Sequence, residues 1–268
     1  PGRPAVNLGG LLAALEAIAP ARLAEPWDNV GVMTGRRDMP VTRVLVALDL
    51  RAGVLDEAAA TGADLVLVHH PPIFPALSPV SAQRTQGALV LRAAADGVAV
   101  VAAHTNLDSA AGGLNDLMAL ALGMRDLAPL APSPADPALG IGRVGTIDPA
   151  TLAQLSQRAV AAFCTRGANA GMTGDPDATV RRVAICTGSG GSLVEAARQA
   201  GADAYVTGDL KYHDHDAAEG MGLVNVAHGA VEQHVMRQWT PALAGALAPS
   251  LVPVAFTSVD TDPWQEAC

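Results

Sequence analysis

Positive charge is scarce in this chain. Seventeen lysines and arginines face 26 aspartates and glutamates, a formal charge of −9 over 268 residues. A protein that grips a phosphate backbone shows a basic stripe, so direct nucleic-acid binding is not expected. Cysteine is rarer still. Cys164, Cys186 and Cys268 fit no metal spacing and no disulfide framework, which predicts a reducing, cytoplasmic setting. No apolar run approaches the roughly 20 residues that a membrane span needs. The chain does not open on a basic stretch followed by an apolar segment and a small-residue cleavage site, so no signal peptide is expected. Aromatics make up only 3%. Ala, Gly and Val dominate instead, and at 50% hydrophobic the chain can fill one large core or two small ones. Helical stretches interleaved with short Val/Leu runs predict an α/β fold with a largely parallel sheet.

What is present is histidine at the ends of apolar runs. Leu65-Val66-Leu67-Val68 stops at His69-His70-Pro71-Pro72. Neighbours in a strand point to opposite faces, so the two imidazoles converge only if the strand ends there. Two prolines, which lack the N–H donor, force that end. His104 closes Val98–Ala103 and stands four residues before Asp108. His228 closes Leu223–Ala227 and stands four before Glu232. Residues four apart share a helical face, so each pair would point one way if a helix follows the strand. Imidazoles with carboxylates form the ligand set that borderline divalent metals favour. Open α/β sheets place their ligands at these strand ends.

An internal repeat supports the pattern. Val44–Leu48 and Gly62-Ala63-Asp64 recur as Val183–Thr187 and Gly201-Ala202-Asp203 at a constant offset, and each copy leads to a strand ending in His-x3-acid. The chain therefore reads as two similar β-α-β-α-β lobes, each presenting histidine and carboxylate at its strand ends, and a site between them would draw ligands from both. Residues 1–125 form lobe 1, 126–139 a linker rich in proline, and 140–268 lobe 2. The whole of 1–268 is then one family-sized domain. Leu8, Leu11, Leu12, Leu15 and Ile18 share a helical face, with Asn7 as cap and Pro20 as stop. Leu152 to Phe163 reads as a helix and Gly171 to Asp177 as a loop. Leu251–Phe256 reads as an edge strand because of its proline, with a return to either lobe open to it. Thr187-Gly188-Ser189-Gly190 lies between a strand and a helix. It reads equally as a phosphate cradle or a tight turn, and it lacks the GxxxxGK[ST] pattern of a nucleotide P-loop. Asp28 and Asn29 read as an ordinary turn or as residues that touch the site, Asn29 as a substrate contact. His215 reads as a surface residue and His234 as part of the helix after Glu232.

Several segments, in order along the chain, resemble one family. They are Trp27-Asp28-Asn29-Val30-Gly31, His69-His70-Pro71, His104-Thr105-Asn106-Leu107-Asp108, Gly112–Asp116, Thr187–Gly190, Thr207–His213 and His228-x3-Glu232. The chain is similar to the dinuclear-metal proteins related to the Ngg-interacting factor, many named GTP cyclohydrolase 1 type 2 homologues. The resemblance implies a two-lobed α/β fold with a dinuclear metal site between the lobes, two divalent cations per chain and a toroidal homohexamer. One cation would be held by His70 and Asp108, the other by His69 and His228, with Glu232 bridging. Because histidines contribute, zinc, manganese or iron is expected. His104, Asp209, Lys211 and His213 would lie nearby, the two histidines as proton shuttles and Lys211 and Asp209 as substrate contacts. The chain departs from the family in two ways. It is too short for the inserted domain of the larger members, and it carries Gly229-Ala230-Val231 where many members have an aromatic and a hydroxyl residue.

The function this implies is a metal-dependent hydrolase that opens the GTP purine ring and releases formate. Two other expectations stand beside it: a phosphoesterase, and a metal-delivery or regulatory scaffold protein without catalysis.

Overall fold

The computed structural model describes residues 5–74, 80–163 and 171–264. Cys164 and Cys268 lie outside them; Cys186 is buried and free. The chain divides into two compact units. One comprises Pro1–Leu107 with Met236–Thr261, the other Asp108–Val235 with Asp262–Cys268. Among the described residues, no helix is long and apolar enough to cross a membrane.

The first unit is built on a five-stranded sheet. Strands Val254–Phe256, Val44–Ala47, Leu65–Val68 and Ala99–Ala102 lie parallel in that order, and Gly31–Thr34 closes one edge antiparallel to Ala99–Ala102. Every residue of the three inner strands is buried. Their short apolar runs fill a core on both faces, and each buried Val or Leu contributes about 1.5–3 kcal/mol. The connections are helices Ala52–Thr61 and Thr85–Ala95. The N-terminal helix Leu8–Ile18 starts where expected, because the Asn7 side chain accepts the Gly10 N–H at 2.7 Å. Leu8, Leu11 and Leu15 are its buried face. Leu251–Phe256 resolves as an edge strand, Val254–Phe256, paired with Val44–Ala47.

The second unit holds a six-stranded mixed sheet. Its parallel part is Thr179–Ser189, Ala204–Gly208 and Gly222–Val226, linked by helices Val194–Gln199 and Asp214–Ala218. The remaining pairings are antiparallel, so the largely parallel sheet expected from composition holds in the first unit only. The expected loop at Gly171 begins instead with strand Gly171–Thr173, which pairs with Gly222–Val226. Leu152–Phe163 is the expected helix.

The expected linker at 126–139 is not a linker. Arg125–Ser133 and Asp136–Thr151 form an antiparallel hairpin inside the second unit. Prolines misled the reading because Pro129 and Pro132 sit on the edge strand, where a missing N–H costs no ladder bond. Gly140, at φ +151°, allows the hairpin to close, since a Cβ there would collide with the Ala131 carbonyl. The boundaries 1–125 and 140–268 shift accordingly. The chain leaves the first unit at Leu107 and returns to it at Met236 along the helix His228–Ala246.

One buried cation organises the second unit. Arg143 is 3% exposed, pairs with Asp116, and donates to the carbonyls of Gly140, Gly142 and Ala110 at 2.7, 2.8 and 3.1 Å. It thereby ties the hairpin to the turn that follows Asp108. Arg143→Met should cost about 3 kcal/mol, because it strands Asp116 without its partner. Urea unfolding measures this. A loss under 1 kcal/mol would show that the pair is dispensable.

Candidate metal centre

In the first unit, three histidines come together. Strand Leu65–Val68 ends before His69, as the prolines demand. The His69 N–H is shared between Ala47 O at 3.2 Å and Leu48 O at 3.1 Å, and the His70 N–H also turns to Leu48 O, at 3.0 Å. The two rings therefore converge, with centroids 5.2 Å apart. His104 joins them from the end of Ala99–Ala102, 5.0 Å from His69 and 5.7 Å from His70. Each of the three offers a nitrogen within 4.8 Å of the others'.

The other nitrogen of each ring is committed. His69 Nδ1 donates to the Ala103 carbonyl at 2.8 Å, His70 Nδ1 to Asp49 Oδ1 at 2.9 Å and His104 Nδ1 to Asp28 Oδ1 at 2.8 Å. Carbonyls and carboxylates only accept, so each Nδ1 carries the proton and each Nε2 offers a lone pair. This is how metal-binding imidazoles are oriented and made more basic. His69 is fully buried.

Asp49 was not singled out from the sequence, and Asp28 was read as a turn or a residue touching the site, without a role. Burial pushes the Asp49 carboxyl up, but His70 and its other partners outweigh it, so the group titrates below the usual range. Asp28 behaves alike: burial opposes its charge, while His104 and Thr105 hold it down to about 2. Asn29 stands exposed, and its side-chain amide donates to Ile73 O at 2.6 Å.

The second unit presents a matching set. His228 and Glu232 lie one turn apart at the start of helix His228–Ala246, with Nε2 and Oε2 at 2.9 Å. Glu232 is 3% exposed and Asp108 8%. Buried carboxylates persist only when paired, hydrogen-bonded or metal-bound. Asp108 accepts the Thr187 hydroxyl at 2.9 Å, and Asn115 bridges Asp108 O and Thr187 N. His228 Nδ1 is held by Asp209 Oδ2 at 2.6 Å. Burial alone would lower the His228 pKa, but Glu232 and Asp209 push it up to about 9. Gly188 adopts φ +66°, and a Cβ there would stand 2.5 Å from Glu232 Oε1. The Thr187–Gly190 turn therefore packs on the acid and its helix.

The remaining expected residues lie further out. Lys211 is exposed, and its backbone N–H caps Asp214 at 2.7 Å. His213 is exposed, with Nδ1 3.4 Å from Asp216. Asp209 serves His228. His215 is exposed, and His234 lies edge-on to Phe163 in the helix.

Asp28 yields a test with a fixed sign. Its folded pKa lies near 2 against 3.8 for the free group, so its stabilisation is present above pH 3.8 and fades as pH falls toward 2. Asp28→Asn should cost about 1–2 kcal/mol at neutral pH and almost nothing at pH 2. Urea midpoints at the two pH values check it. An equal loss at both would separate the effect from ionisation.

Comparison with known proteins places the chain. The family profile Duf34/NIF3 (NGG1p interacting factor 3) matches residues 6–263. A protein of Streptomyces coelicolor named GTP cyclohydrolase 1 type 2 homolog is 39% identical over 232 residues, covering 84% of this chain and 81% of its own. One of the same name from Lactococcus lactis is 39% identical over 222 residues, covering 82% and 84%. The crystal structure of a Bacillus cereus protein related to NIF3 superposes with a TM-score of 0.90 at 26% identity, over 98% of this chain and 99% of that one. With the profile spanning nearly the whole chain and the fold matched end to end, this protein belongs to the Duf34/NIF3 family.

Proposed function

We propose that the protein is a dinuclear metal-dependent hydrolase, with GTP ring opening as its reaction. One observation carries the metal reading. Four imidazoles, His69, His70, His104 and His228, each have Nδ1 fixed by a carbonyl or carboxylate, which directs Nε2 to a cation in His69, His70 and His228 and to a proton in His104. The donor set fits a borderline divalent cation such as zinc, manganese or iron, and buried Glu232 and Asp108 supply the compensating negative charge. In this reading His69, His70, Asp108, His228 and Glu232 would hold two cations, Glu232 serving both. When bound, such cations supply Lewis acidity and lower the pKa of water.

The chain's own groups have distinct tasks. Asp49 and Asp209 orient His70 and His228. Thr187 and Asn115 hold Asp108 in place. His104, backed by Asp28, is better placed than exposed His213 to carry a proton. Lys211 is the proposed triphosphate anchor. The choice of GTP follows the names of the relatives. The two-lobed duplication is also a proposal, supported by register: Val44 pairs with Leu65 and Val183 with Ala204, both partners displaced by the same 139 residues (183 − 44 and 204 − 65). A homohexamer is proposed from the family resemblance.

Metal titration of chelated protein should give two cations per chain. Because a bridging carboxylate supports both, Glu232→Ala should remove more metal than Asp108→Ala. The reverse order would show that the bridge is misassigned.

Activity is tested on protein reloaded with zinc, manganese or iron, with its mass checked against six chains by light scattering. Formate release from GTP with the triphosphate intact is expected, lost on chelation and in Glu232→Ala. Release of phosphate or pyrophosphate would replace ring opening with phosphoester hydrolysis. No turnover by fully loaded protein would favour metal delivery or a scaffold role.

A further inference from the structure

Aromatic side chains are few, and most of a small set would be expected in the core. Trp239, Tyr205 and Phe163 are there. Trp27, Phe74, Tyr212 and Trp264 are exposed, and of these Trp27 and Phe74 adjoin each other. They are 60% and 45% exposed and meet each other edge to face, with centroids 5.9 Å apart at 72°. Both also meet His104, at 6.2 and 6.0 Å. The pair therefore stands beside the three-histidine cluster of the first unit.

The corner they form is held in place. Trp27 belongs to the turn before strand Gly31–Thr34 and Phe74 to the segment after His70. The Asn29 amide bonded to Ile73 O ties these two segments together. Asp28 anchors the first of them to His104 and Thr105. Rings fixed by their backbones lose little freedom on binding, which favours affinity. Two rings at 72° cannot sandwich a ligand. They can take one flat ring on the indole face while its edge meets Phe74, the arrangement that aromatic quadrupoles prefer. Asn29 Oδ1 has no donor among the described residues and can accept from an amino group on that ring.

We infer that Trp27 and Phe74 form the base-binding corner of the site, taking a planar purine-like ring by stacking beside His104. The inference rests on the hydrolase reading for its choice of ring, but the binding it describes needs neither metal nor turnover. It also divides the labour of recognition: the aromatic corner reads the ring, and phosphate contacts add affinity that is blind to the base.

The test is guanosine binding to the chelated protein, followed by tryptophan fluorescence and calorimetry. Wild-type protein should bind guanosine with quenching, and ribose 5-phosphate and tripolyphosphate should cause none. Trp27→Ala should weaken guanosine binding roughly tenfold or more, the change expected for losing one stacked base contact, and Trp27→Phe should restore part of it. Phe74→Ala should weaken it as well. Circular dichroism and metal content should stay unchanged, because both rings are largely exposed. Guanosine affinity unchanged in Trp27→Ala would overturn the inference. So would a change in oligomeric mass in that variant with guanosine affinity intact, which would make the corner a subunit contact. Guanosine binding lost in Trp27→Ala, with no formate or phosphate from the metal-loaded wild type, would uphold the corner and remove the hydrolase reading.

Discussion

Each imidazole in the two histidine sets is fixed through Nδ1, and the chemistry proposed for the protein depends on that. A free imidazole can carry its proton on either nitrogen and rotate about two bonds. Here the Ala103 carbonyl, Asp49, Asp28 and Asp209 each remove that freedom for one ring. The constraint comes from where the parallel strands stop. The ladder runs out at the His69 N–H, shared between Ala47 O and Leu48 O, and polar groups beyond it close to a buried core must find partners. The strand ends therefore turn the histidines out of the ladder, and neighbouring carbonyl and carboxylate acceptors orient them.

The two units solve the same problem with different means. In the first, the supporting groups are a backbone carbonyl and two aspartates. In the second, the hydroxyl of Thr187 and the amide of Asn115 fix Asp108, and Gly188 makes room for Glu232 by having no side chain at all. The Thr187–Gly190 turn, which resembles a phosphate cradle in sequence, spends its special conformation on fitting against a carboxylate.

Much of this was legible before any coordinates. Short Val/Leu runs that stop at histidine mark buried parallel strands and their ends, because that pattern is local. The N-terminal helix was legible because Asn7 and Pro20 punctuate it. The failures are non-local. Nothing near Asp49 in sequence says that it will meet His70, and Asp28 finds His104 from 76 positions away. Pro129 and Pro132 suggested a linker because sequence does not reveal which strand lies at an edge. The strand Gly171–Thr173 is too short to carry a period of its own and exists only because Gly222–Val226 offers it a ladder.

The path of the chain also bears on how the protein is made. Strand Val254–Phe256 closes the first sheet against Val44–Ala47, so that sheet stays incomplete until almost the last described residues are synthesised. A nascent chain emerging from the ribosome would hold Leu65–Val68, His69 and His70 for most of its length without the edge strand that flanks Val44–Ala47. Closing so large a loop is slow. Until that strand docks, the sheet that carries the two imidazoles keeps an open edge at Val44–Ala47.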